Sequence, residues 1–171
     1  NSISIDELRL KKKNWEQILY KKREKRPKPR LDDKCITSWN AILLKGFVDS
    51  FKALGDENHL NIALKNAHFI VNKIWSSEGN LMNTKKNEKA SINGFLEDYA
   101  FVIEALLRGY AHTKEDYYLE LAKKLCHEAE RKFYKEETWY LSDKAFRAKA
   151  VLEDNSYKSP LSTMIKNLFE L

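Results

Sequence analysis

Glycine and proline are scarce: the 171 residues include five Gly and three Pro. A fold built from strands needs many tight turns, and a phosphate-cradling loop needs clustered glycines, so this scarcity argues against both. No GxGxxG, GxxxxGK(S/T) or GxSxG is present, which removes the usual grounds for dinucleotide, P-loop or elbow-serine chemistry. Cysteine is limited to Cys35 and Cys126, far apart and in no CxxC. Two reduced thiols packed as small apolar residues in a cytoplasmic protein are expected. His59, His68, His112 and His127 show no ligand spacing, so neither a metal nor a cofactor is expected. No apolar run approaches the roughly 18–20 residues of a membrane span. Ile3 and Ile5 stand alone ahead of a basic run, so no secretory leader and no membrane partner are expected.

What is present suits a helical domain. Apolar residues make up 43% and charged residues 33%, enough to build a core and too balanced for wholesale disorder. Aromatics reach 12%. Charge is uneven: residues 1–30 carry eleven Lys/Arg against four Asp/Glu, while the remaining 141 are nearly neutral. The chain therefore reads as a basic lead-in helix and Pro-containing linker, 1–30, ahead of a near-neutral domain, 31–171. A solvated Lys-rich helix is the commoner meaning of such a lead-in, which argues against nucleic-acid binding.

Apolar spacing predicts helices at about 7–25, 37–54, 57–75, 97–112, 115–134 and 160–171. Thr37 or Ser38 is expected to cap the second. Gly55 closes it and Asp56 opens the third. Thr113 and Asp116 suggest a capping box for the fifth. Polar loops are expected at 76–93, with a turn at Gly79, and around Trp139 and Tyr140. The helices repeat with an offset of 59: Phe51 falls on Tyr110 and Phe169, Phe47 on Leu106 and Ile165, Leu60 on Leu119 and Ala63 on Ala122. Such a repeat predicts an all-α fold of stacked αα-hairpins, as in solenoids and closed toroids. Because the third unit stops after its first helix, the chain is expected to be a segment of a longer repeat protein, and self-association through its apolar edges is expected.

Equivalent helix ends of a hairpin array share one rim. Asp32, Asp33 and Lys34 precede one such end, Glu97 and Asp98 another, Glu153 and Asp154 a third, with Trp39, Tyr99 and Tyr157 beside them. Interleaved carboxylates and aromatic faces suit sugars, and paired carboxylates are what glycoside hydrolysis requires. On spacing alone, acids at helix N-termini are more often caps favoured by the helix dipole than a site.

The stretch Lys25 to Asn40, containing Arg26-Pro27, Asp32-Asp33-Lys34 and Thr37-Ser38-Trp39-Asn40, resembles a signature of the thioredoxin-domain-containing, spermatogenesis-associated protein family. Gly94-Phe95-Leu96-Glu97-Asp98-Tyr99-Ala100 resembles that family's G-F-L-D-D-Y-A. The resemblance runs from about Leu8 to Leu171. It implies a segment of a six-hairpin (α/α) toroid similar to glycosidases and sugar epimerases. The parent chain would supply the remaining hairpins and a thioredoxin-like domain as partners. On the reading of the rim as a carbohydrate site, Asp32, Asp33, Glu97 and Asp98 would supply the catalytic acid and base groups or hold hydroxyls. Lys34 would position one carboxylate, Trp39 and Tyr99 would stack on the sugar, and Asn40 would contact it. Ala41 replaces the family's usual Gly, and Leu161 stands where an Asn is usual. Two functions remain open: a carbohydrate-active toroid, inactive at this length alone, or a non-catalytic helical scaffold. Epimerisation is disfavoured, because no His falls on the rim.

Overall fold

The structure is a computed structural model and describes residues 3–75, 80–145 and 147–171. The chain divides into two units, one ending at Asp33 and the other beginning at Lys34.

The first unit is one helix, α1 (Ile5–Glu24), followed by an extended Pro-containing stretch. It starts two residues ahead of the expected position because Ser4 and Glu7 form a reciprocal capping box. Asp6 and Glu7 lie at its positive end and Lys21, Lys22 and Arg23 at its negative end, which suits the helix dipole. None of its residues is buried.

The second unit is built from helices α2 (Thr37–Leu54), α3 (Glu57–Phe69), α4 (Leu96–Thr113), α5 (Asp116–Phe133) and α6 (Pro160–Glu170). A π-helical turn, Ile70–Ile74, extends α3. α2 packs on α3 and α4, and α4 packs on α5 and α6. The first helices of successive hairpins thus form a row, α2–α4–α6, with α3 and α5 as their second helices. The middle helix of the row is covered most completely: every residue from Asp98 to Leu107 is buried. Its run Ala100-Phe101-Val102-Ile103 meets neighbours on several sides, so nearly every rotation of the helix needs an apolar side chain.

Gly55 does close α2, at φ 70°. Asp56 caps α3 by accepting from the Asn58 amide at 2.9 Å. Two expected caps are corrected. Ile36 holds the cap position of α2, Thr37 being its first residue. The Thr37 hydroxyl instead donates to the Met82 carbonyl at 2.6 Å. α5 starts from Glu115, and Thr113 ends α4. The Thr113 hydroxyl donates to the Gly109 carbonyl and accepts from the Glu115 amide.

The loops expected to be plain contain strands. β1 (Cys35–Ile36), β2 (Met82–Lys86) and β3 (Lys89–Asn93) form an antiparallel sheet in the order β1–β2–β3, with Ile36 opposite Thr84 and Thr84 opposite Ser91. The β2–β3 turn is Asn87-Glu88, both at positive φ, the two-residue geometry that matches strand twist. β4 (Tyr134–Lys135) and β5 (Thr138–Trp139) form a second hairpin around Glu136-Glu137, again at positive φ. Gly79 lies outside the described residues. Gly94, just ahead of α4, is required by proximity: a Cβ there would lie 2.7 Å from the Leu81 carbonyl oxygen, which the Gly94 amide itself contacts at 2.9 Å.

Both cysteines are free thiols. Cys126 is buried, and burial pushes its thiol upward in pKa. Among the described residues, no helix is long and apolar enough to cross a membrane.

Candidate functional site

The Glu97-Asp98-Tyr99 run occupies the first turn of α4, and the three side chains go three ways. Successive helical residues point about 100° apart, so an acid pair in sequence is not an acid pair on one face.

Asp98 is wholly buried and faces α2 and β2. Its Oδ1 accepts from the Ser38 amide at 3.0 Å. Its Oδ2 accepts from the Asn83 side-chain amide and from the Phe95 backbone amide, each at 2.9 Å. One carboxylate thereby caps two helices and ties a strand to them. Burial raises its pKa to about 6, while the hydrogen bonds from Asn83, Phe95 and Ser38 pull it down and the charge of Glu97 adds to the rise.

Tyr99 is also wholly buried. Its ring meets Phe133 edge-on at 5.3 Å, and its hydroxyl accepts from the Leu81 amide at 3.2 Å. Desolvation pushes its phenol up to about 12. The polar atoms of the Asp98 and Tyr99 side chains are thus engaged inside the fold. Both are built into the core, and neither reaches a ligand-accessible surface.

Glu97 is the partly exposed member of the run. Its Oε1 accepts from the Ser38 hydroxyl at 3.3 Å and its Oε2 from the Tyr157 hydroxyl at 2.7 Å. That contact, more than burial, raises the Tyr157 phenol to about 12, so the tyrosine remains a donor. Glu97 opens on a cleft of about 280 Å³ lined also by Leu141, Val151, Glu153, Tyr157 and Lys158. The rim expected from the sequence thus exists in part: Glu97, Glu153 and Tyr157 share one cleft. Asp154 is engaged elsewhere, accepting from the Ser159 amide at 2.7 Å. Ser159 in turn caps α6, its hydroxyl accepting from the Leu161 and Ser162 amides.

Trp39 lies on α2 and is 61% exposed, leaving its indole available to stack. Asn40 is structural in its contacts. Its side chain donates to the Ile36 carbonyl at 2.8 Å, and its own carbonyl accepts from Asn66 at 2.7 Å. Lys34 opens the second unit. Asp32 and Asp33 belong to the first.

Sequence reasoning missed Glu104, Lys158 and Asn83. Glu104 is buried in the middle of α4, where Lys158 and, at 3.8 Å, Lys166 contact its carboxylate. The available signal was an acid inside the apolar run Val102-Ile103-Glu104-Ala105-Leu106, since a buried charge demands a partner. Among the described residues no group of three or more His, Cys, Asp or Glu could hold a metal ion.

Two paired layers of helices in repeat register define this chain as a segment of an (α/α) toroid of the six-hairpin glycosidase type. Solved toroids superimpose on it. An α-mannanase of family GH76 from Bacteroides thetaiotaomicron matches with a TM-score of 0.63 at 20% identity, over 85% of this chain and 37% of that one. A cellobiose 2-epimerase from Bacillus thermoamylovorans matches with a TM-score of 0.66 at 16% identity, over 81% of this chain and 39% of the other. The sequence profile of the β-L-arabinofuranosidase GH127 catalytic domain matches residues 11–156, and the chain belongs to that family. It is also 31% identical over its whole length to an uncharacterized protein of Caenorhabditis elegans, covering 25% of that protein. To human spermatogenesis-associated protein 20 it is 32% identical over 68% of its length, covering 16% of the relative. The chain thus spans a quarter or less of these relatives.

Proposed function

We propose that this chain is the part of a carbohydrate-active α/α toroid that carries the Glu97 cleft, and that the cleft receives one ring of a sugar. The observation that supports this most is the state of Glu97. It is a carboxylate lining a cleft with both oxygens oriented by hydroxyl donors, and a second carboxylate, Glu153, lines the same cleft. Two carboxylates flanking a bond are the usual machinery of glycoside cleavage. Leu141, Val151 and Pro160 give the cleft apolar patches against which the CH face of a ring can lie. The solved neighbours are named for sugar hydrolysis and sugar epimerisation. Hydrolysis fits this cleft better, because no histidine lines it among the described residues. The parent protein is proposed to be cytoplasmic, as its two free thiols suggest, and to join this toroid to a thioredoxin-like domain, as the motif resemblance implies.

A second reading, a non-catalytic scaffold, draws support from Asp98 and Tyr99, whose polar atoms are spent inside the fold. A thermal-shift screen of the chain against mono- and disaccharides separates the two. A ligand that binds the native state raises the melting temperature by mass action. The toroid-site reading expects a sugar-specific rise that Glu97→Gln abolishes while melting normally without sugar. A sharp melt that no sugar moves favours the scaffold.

A further inference from the structure

Three residues of α4 form one stripe: Glu97, Phe101 and Glu104, at the i, i+4, i+7 spacing that repeats on a helix face. Two consecutive loop residues, Tyr157 and Lys158, cover that stripe. Tyr157 places its hydroxyl 2.7 Å from the Glu97 carboxylate and its ring edge-on to Phe101 at 5.7 Å. The Lys158 ammonium sits 5.9 Å from the centre of the same Phe101 ring and contacts the Glu104 carboxylate directly. Glu104 is 2% exposed, and the second lysine near it, Lys166, stands off at 3.8 Å. A carboxylate at that depth depends on its closest cation, because an unpaired buried charge is strongly disfavoured.

We infer that the Glu104–Lys158 pair is a positioning device for the cleft: by fixing Lys158 in register on α4 it holds the adjacent Tyr157 hydroxyl on Glu97. This rests on the reading of the Glu97 cleft as the ligand site. Glu104 acts through Lys158 and Tyr157 and does not itself touch the ligand. Tyr157 keeps Glu97 turned into the cleft, and the Ser38 hydroxyl on the other oxygen completes the orientation. Ser159 fixes the far side of the loop, its hydroxyl donating to the Val151 carbonyl at 2.5 Å. The loop is therefore anchored by the two residues that follow Tyr157.

The test follows Tyr157 rather than catalysis. Its phenol is held up at about 12 chiefly by the contact with Glu97, whereas a free tyrosine ionises near 10. At about pH 11 an ordinary phenol is ionised and an ordinary lysine has largely lost its proton, so the comparison uses Lys158→Arg, whose guanidinium stays charged. In Lys158→Arg, ring-labelled tyrosine NMR at that pH is expected to find Tyr157 still protonated, and in Lys158→Met Tyr157 is expected to titrate a unit or more lower. Glu104→Gln is expected to match Lys158→Met. Should the buried change prevent folding, the half-exposed Lys158 variants carry the test alone. A folded Lys158→Met in which Tyr157 still resists ionisation overturns the inference. Sugar affinity separates this outcome from failure of the site itself. If no sugar binds but Tyr157 responds as described, the positioning device stands and the proposed ligand falls. If sugars bind the parent chain and Lys158→Met equally well, the site stands and the positioning role falls.

Discussion

The two hairpins, α2–α3 and α4–α5, are built to one plan and used differently. At an offset of 59, Ser38, Trp39 and Asn40 of the first correspond to Glu97, Asp98 and Tyr99 of the second. Trp39 lies open while Asp98 and Tyr99 are wholly buried. The cause is position in the row. Among the described residues, α4 packs against both α2 and α6, and α2 packs against α4. The face that α2 leaves open with Trp39 and Leu43 is the face that α4 closes with Asp98 and Val102. Repeat equivalence therefore predicts helix placement well and side-chain role poorly, because role depends on how many neighbours a helix has.

The sharpest way to break this comparison is to truncate the corresponding pair Asp98 and Trp39. Asp98→Ala leaves three amide donors without their acceptor in the core. At about 1–3 kcal/mol for each unsatisfied buried group, partly relieved by relaxation, a loss of about 4 kcal/mol is expected. Trp39→Ala is expected to stay within about 0.5 kcal/mol, as exposed substitutions do. Urea unfolding measures both. Similar losses from the two would mean that the burial asymmetry does not exist in solution.

Asp98 also predicts a pH dependence that Trp39 cannot supply. Its carboxyl titrates at about 6 in the fold against an ordinary 3.8. Between those values the folded chain retains a proton that the unfolded chain has released. Its contribution is therefore fully present below about pH 4 and is lost as pH rises through about 6, on the order of 2–3 kcal/mol. Unfolding curves at a series of pH values check this. In Asp98→Asn that slope should vanish, since nothing remains there to titrate.

How far the sequence carried these conclusions differs between backbone and side chains. The C-terminal limit of α2 was readable to the residue, because a 3.6-residue apolar period ends at a Gly55-Asp56 pair whose stop and start chemistry is local. The β2–β3 hairpin was not readable. Met82-Asn83-Thr84-Lys85-Lys86 has no apolar alternation, and its turn places Glu88 at a positive φ that glutamate rarely signals. For the site, the rim argument brought Glu97, Glu153 and Tyr157 to one end of the fold, where they do line one cleft. Adjacent helical residues do not share a face, so Glu97, Asp98 and Tyr99 point apart and only Glu97 lines the cleft. Glu104 escaped notice because only the folded loop reveals the lysine that makes a buried acid tolerable there.

Tyr99 and its counterpart Asn40 give a smaller contrast. Tyr99→Phe keeps the ring against Phe133 and removes only the acceptor for the Leu81 amide, which is expected to cost about 1–2 kcal/mol. The Leu81 amide should then exchange with solvent deuterium faster than its neighbours. Unchanged exchange at Leu81 would show that the amide finds another acceptor and that the phenol does not secure the strand end.

The smallest expected effect tests the repeat itself. Gly55 and Lys114 stand 59 residues apart, each just past the end of its hairpin's first helix, and each is left-handed, at φ 70° and φ 60°. Glycine adopts that conformation without strain, whereas a side chain pays about 1 kcal/mol. Lys114 offsets part of this by holding its ammonium 5.8 Å from the centre of the Tyr110 ring, a contact worth about 0.5 kcal/mol at an exposed site. Gly55→Ala should therefore cost about 1 kcal/mol. Lys114→Gly relieves strain but loses the ring contact and gives the unfolded chain more freedom, so its net gain should fall below about 0.5 kcal/mol. Thermal melts of the two variants side by side measure the difference. A large gain from Lys114→Gly would mean that the lysine–ring contact contributes nothing and that the second hairpin carries its turn as unrelieved strain.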